Sequence, residues 1–103
     1  MYGKILNLKF SNMDEAQLAA SFFSENIGQK IAEFKIVGFN VFIGQKGDLN
    51  VSIKFENVPA IKNFELKYPE IIKGLRKSLV FKETVFLGVC ANTFEKEAAL
   101  KEN

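Results

Sequence analysis

The sequence contains no histidine and no tryptophan, one cysteine and two prolines, and only one of its fourteen cationic side chains is an arginine. Without histidine there is no Ser-His-Asp or Cys-His catalysis, and no histidine-ligated metal or haem. Cys90, standing alone, forms neither an intramolecular disulfide nor a cysteine cluster for zinc or iron–sulfur. One unpaired thiol suits a reducing compartment, and nothing beside it in sequence would activate it, so it reads as a small buried strand residue. No metal and no cofactor is therefore implied. No apolar run approaches the ~18 residues of a membrane span, so a membrane is not an expected partner. The opening Met1-Tyr2-Gly3-Lys4-Ile5 has neither the charged nor the apolar region of a signal peptide, and a cytoplasmic location is expected. Planar guanidinium groups dominate the reading of phosphate and guanine, so a chain with Arg76 alone is not expected to bind nucleic acid.

What is present is ordinary globular composition: 103 residues, 48% hydrophobic, 25% charged, with a formal net charge of +2. That length fits one domain over 1–103, with a single core. Residues 4–10 alternate, with Leu6, Leu8 and Phe10 in one phase and Ile5, Asn7 and Lys9 in the other, as in a half-buried strand. Asn12 and Glu15 then have capping-box spacing, and Ala16, Ala19, Ala20, Phe23 and Ile27 follow as a helical stripe. The helix is expected to end in an irregular turn near 28–33. Residues 35–44 return to period two with apolar groups on both faces. After the turn Gln45-Lys46-Gly47-Asp48, the set Leu49, Val51, Ile53 and Phe55 alternates cleanly with polar residues.

Asn57-Val58-Pro59 opens a second helix carrying Ile61, Phe64 and Tyr68. Pro69 predicts a break there, with a further helical segment bearing Ile72, Leu75 and Leu79. Phe81 to Cys90 is the last strand. Asn92 and Glu95 are spaced to cap a helix in the tail 91–103, containing Phe94, Ala98 and Leu100. Lys73-Gly74-Leu75-Arg76-Lys77 reads as a cationic helix end, not a phosphate patch, and Gly44-Gln45-Lys46-Gly47 as a turn, not a phosphate loop.

The order β-α-β-β-α-β is the split βαβ, or ferredoxin-like, arrangement: an α+β fold with a four-stranded antiparallel sheet and helices on one face. The sets Leu6/Leu8/Phe10, Val37/Phe39/Val41/Ile43, Leu49/Val51/Ile53/Phe55 and Val85/Leu87/Val89 are expected to face the helices. A bulge at Gly38 or Gly88 would invert that assignment locally. The opposite face then carries Ile5, Ile36, Asn40, Phe42 and Phe86 beside small polar groups, too apolar to lie bare in water. These five are the candidates for a dimer face, and a face-to-face homodimer closing a barrel is the expected assembly.

The element order, the first strand running into an acidic-capped helix, and Phe64-Glu65-Leu66-Lys67-Tyr68-Pro69 in the second helical region resemble the dimeric α/β-barrel superfamily, which includes antibiotic-biosynthesis-monooxygenase-like proteins. The resemblance spans about residues 4–90. It implies cofactor-free oxygenation of an apolar or aromatic small molecule, or binding of such a ligand. Haem-degrading members resemble the chain in having an asparagine on the first strand, where Asn7 stands, but they also need a histidine and a tryptophan that are absent here. Quinone-forming members use tryptophan, tyrosine or arginine, of which Tyr68 and Arg76 are available. Asn7, Tyr68 and Arg76 are thus the catalytic candidates. Among eleven phenylalanines, Phe23, Phe39, Phe55 and Phe64 are candidates to line an apolar pocket, the other reading being that they fill the core. A non-catalytic dimeric interaction or ligand-sensing module is the alternative function. RNA-recognition, Cys-x-x-Cys metal-carrying and acylphosphatase-like versions of the fold lack their marker residues; a small-ligand regulatory domain of the ACT type stays open.

Overall fold

Asn12, three residues past the first strand, starts the first helix. Its Oδ1 accepts from the Glu15 N–H at 2.9 Å, while the Glu15 carboxylate accepts from the Ser11 N–H at 3.2 Å. The Asn-x-x-Glu spacing therefore caps as expected. The computed structural model describes residues 1–96. It contains β1 (Tyr2–Lys9), α1 (Met13–Asn26), a 3-10 turn (Gly28–Lys30), the single-turn α2 (Ile31–Phe34), β2 (Ile36–Ile43), β3 (Asp48–Phe55), α3 (Val58–Arg76) and β4 (Lys82–Val89). The 3-10 turn and α2 are the irregular end foreseen for the first helical region. The strands are antiparallel in the order β2-β3-β1-β4, with the helices on one face. The fold is the ferredoxin-like one expected.

Period two on the two central strands places the core. Leu6 and Leu8 of β1 and Leu49, Val51, Ile53 and Phe55 of β3 are all buried under the helices. Ala16 and Ala19 let α1 lie close to the sheet, and Phe23 fills the space beyond them. On α3, Phe64 is the hub: its ring centroid lies 5.2 Å from Phe34, 5.4 Å from Phe55 and 5.4 Å from Tyr68. Phe10 and Phe81 close one end at 5.1 Å. The hairpin β2–β3 is tied to the end of β1 through Gly47. Its φ is +95° and an added Cβ would stand 2.6 Å from the Phe10 carbonyl oxygen, so only glycine fits.

Four expectations are corrected. Pro69 does not break the helix: α3 runs through it from Val58 to Arg76. Ile61, Phe64, Tyr68, Ile72 and Leu75 form one buried stripe at helical spacing, and burying each large apolar side chain stabilises by about 1.5–3 kcal/mol. Together they outweigh the ~3 kcal/mol of an interior proline. Second, a bulge between Ile36 and Gly38 sets Ile36 opposite Phe55, so Ile36 is buried on the helix side and does not belong to the open face. The bulge also takes Val37 out of the covered set, leaving it half exposed. Third, Val85, Leu87 and Val89 share the helix side with Leu6, Lys4 and Tyr2 but stay exposed, because the helices do not reach across this edge strand. Fourth, residues 91–96 form no helix, and Glu95 pairs with Lys54 instead of capping. Ala98 and Leu100 lie outside the described residues.

Two polar contacts pin α3 to the sheet from positions in phase with the apolar set. Lys4, buried on β1, donates to Glu65 at 2.9 Å. On β4, Glu83 accepts from the Tyr68 hydroxyl and from Arg76 at 3.3 Å, while the Arg76 guanidinium sits 4.4 Å from the Phe81 ring centroid. Burial first, and then the hydrogen bond to the Glu83 carboxylate, push the Tyr68 phenol well above its ordinary value of 10.0.

These contacts make two predictions. Lys4→Met should be neutral or stabilising in urea denaturation, because an apolar group replaces a buried charge. Glu65→Ala should cost on the order of 1–2 kcal/mol, by orphaning that charge. The reverse ranking would contradict the packing described. The fold holds Tyr68 neutral, so its contribution is fully present below pH 10 and is lost as pH rises above it. The stability difference between the native protein and Tyr68→Phe should therefore shrink above pH 10. A difference that stays constant to pH 11.5 would contradict it.

Candidate functional site

The three catalytic candidates do not meet. Asn7 stands on the open face of the sheet, where its Oδ1 accepts from Asn50 Nδ2 at 2.8 Å. Tyr68 and Arg76 are on α3, across the sheet from it, and both are engaged by Glu83. The phenylalanines considered for a pocket fill the space between helices and sheet: Phe23, Phe55 and Phe64 are fully buried and Phe39 packs at the margin of the same cluster.

Opposed residues on neighbouring strands share a face, so the register arranges the open face in rows. One row reads Phe42, Asn50, Asn7, Thr84; the next Asn40, Ser52, Ile5, Phe86; the next Gly38, Lys54, Gly3, Gly88. Four of the five dimer-face candidates, Ile5, Asn40, Phe42 and Phe86, thus lie together on this face. Phe42 is 62% exposed and Phe86 58%. The two rings stand on the edge strands β2 and β4 and leave large aromatic area in solvent at either side of this face.

Two hollows lie on the open side of the sheet. The smaller, of about 300 Å³, is bordered by Asn7, Phe42, Ile43, Gly44, Asp48 and Asn50. The larger, of about 430 Å³, is bordered by Gly3, Ile5, Ser52, Lys54, Phe86, Gly88 and the segment Val89 to Asn92. Residues 91–96 run past the second hollow, where Lys54 Nζ meets the Thr93 hydroxyl at 3.3 Å and the Glu95 carboxylate. That hydrogen bond raises the Lys54 pKa above its ordinary value, against a smaller desolvation effect. Cys90, expected as a buried strand residue, lies just past the end of β4, part exposed, and borders the same hollow as a free thiol. Among the described residues no group of three or more histidine, cysteine, aspartate or glutamate side chains is placed to hold a metal ion. Among the same residues, no helix is long and apolar enough to cross a membrane.

The side chains whose contacts the sequence did not disclose are charged ones: Lys4 with Glu65, Glu83 with Tyr68 and Arg76, and Lys54 with Glu95. Lys4 and Glu83 had a signal, since each falls in phase with a buried apolar set. Lys54 looked like one polar alternate among many; only the strand register puts it between glycines.

No family model and no curated protein matches the sequence. Solved structures do. A dimeric ferredoxin-like protein from an uncultured marine organism superposes with a TM-score of 0.72 at 12% identity, over 93% of this chain and all of its own. A candidate antibiotic biosynthesis monooxygenase from Deinococcus radiodurans gives 0.73 at 13%, over 95% of this chain and all of its own. A Mycobacterium tuberculosis protein gives 0.64 at 12%, over 96% and 100%. At such identities the likeness carries the fold alone: the chain has the ferredoxin-like fold of these proteins, the one its element order resembles.

Proposed function

We propose that the chain is a homodimeric small-molecule-binding protein whose working surface is the open face of the sheet. The observation that carries this is the pairing of exposed Phe42 and Phe86 with two hollows on that face, while the space between helices and sheet is filled. A second copy about a two-fold axis would cover both aromatics and enclose the hollows between the sheets. The dimeric ferredoxin-like protein among the similar structures supports the assembly. The ligand fitting such surroundings is small and largely apolar.

Cofactor-free oxygenation is a second reading, and one observation favours it: Asn7 borders the smaller hollow and presents its amide there. The separation of Asn7 from Tyr68 and Arg76 weighs toward binding without turnover. If the chain is an oxygenase, Asn7→Ala abolishes oxygen uptake with a hydroquinone; in a binding module it alters only dimer stability.

Native mass spectrometry at about 10 µM is expected to give a mass near twice 11.6 kDa. Phe86→Glu should weaken the dimer at least about thirtyfold, the scale of an interface hot spot, and lower the melting temperature only by the stabilisation that association supplies, because the ring is exposed in one copy. A monomeric native protein, or a Phe86→Glu dimer as tight as the native one, would overturn the reading.

A further inference from the structure

The row Gly38, Lys54, Gly3, Gly88 sets one lysine among three glycines. A Cβ on Gly3 would meet nothing within 4 Å, so the fold does not require glycine there. What the glycine leaves is room above the sheet. The Phe86 ring leans over Gly88, whose added Cβ would come within 2.9 Å of it. The Lys54 stem lies over Gly38 in the same way, so the bare floor is at Gly3: a trough with the Ile5–Phe86 pair as its apolar wall and the Lys54 ammonium as its cation, about 430 Å³ in volume. That size is within the range of small-ligand sites.

Lys54 already holds a carboxylate. Glu95 reaches it from residues 91–96, which have no helix or strand structure, and the Glu95 side chain is 68% exposed. Exposed pairs of this kind are weak, so one carboxylate exchanges readily for another.

We infer that the trough is a binding site for a small aromatic carboxylate, with its ring on the Gly3 backbone beside the Ile5–Phe86 pair and its carboxylate on Lys54 in the place taken by Glu95. This deepens the sheet-face reading and rests on it for the placement of the ligand. Ser52 borders the trough and offers a hydroxyl as a further donor. The polar demand is small: one cation, one hydroxyl and an apolar slot, which select a flat acid over a sugar or a nucleotide.

Benzoate is the probe, followed by amide chemical shifts in nitrogen-15 NMR. The amides of Gly3, Lys54 and Gly88 are expected to move together in one saturable titration. Glu95→Gln should tighten benzoate about two- to fivefold by removing the competitor, and Lys54→Met should weaken it at least about tenfold. Gly3→Val, for which the fold has room, should abolish binding without lowering the melting temperature. Benzyl alcohol, of similar shape and uncharged, should bind at least about tenfold more weakly than benzoate. No saturable shifts in either the native protein or Glu95→Gln, or benzoate affinity unchanged by Lys54→Met or Gly3→Val, would overturn the proposal. Molecular mass is read on the same samples. A monomer that binds benzoate through Lys54 overturns the dimer and upholds the trough; a dimer indifferent to benzoate does the reverse.

Discussion

Burial of one face of the two central strands is the constraint on which the rest of the structure depends. Leu6 and Leu8 on β1 and Leu49, Val51, Ile53 and Phe55 on β3 must all point the same way, and they meet Phe23 of α1 and Phe64 of α3. Two helices are enough to cover this middle and no more. Everything exposed in the molecule follows from where that cover stops. The edge strand β4 keeps Val85, Leu87 and Val89 exposed on the helix side, and the other face of the sheet carries no helix among the described residues, only the segment 91–96 at one end.

The charged residues near the core follow the same logic. At the rim of the helix layer a purely apolar contact would be incomplete, and there Lys4 and Glu83 reach up from the sheet to Glu65, Tyr68 and Arg76 on α3. Such pairs add little net stability compared with apolar packing, but they fix orientation, because any other docking of α3 would leave a charge unpaired. This explains why Tyr68 and Arg76, attractive as catalytic groups, are engaged in holding the fold. The polar groups on the other side of the sheet, Asn7, Asn50, Ser52 and Lys54, take no part in holding α3.

Much of this was legible in the sequence wherever one period dominated. β1, β3 and the Asn12 cap followed from alternation and spacing, and the fold followed from their order. Legibility failed where two local rules competed. At Pro69 the proline rule opposed a continuous buried stripe, and tertiary burial prevailed. At Ile36 period two was interrupted by a bulge that only pairing with β3 reveals. On β4 alternation gave the correct side but not the degree of cover, which depends on how far the helices extend across the sheet. The proposed trough was the least legible part, since Gly3, Lys54 and Gly88 come from three strands and become neighbours only through register.

The central claim is that the open face of the sheet is covered in solution by a second copy of the chain. Hydroxyl-radical footprinting read by mass spectrometry tests it residue by residue. Leu66, 80% exposed on the outer side of α3, serves as the internal standard. In a dimer closed through this face, Phe42 and Phe86 are labelled far less than one free chain would allow, and they become reactive on dilution while Leu66 stays constant. Labelling of both phenylalanines at the level set by their exposure in one copy, at every concentration, would contradict it.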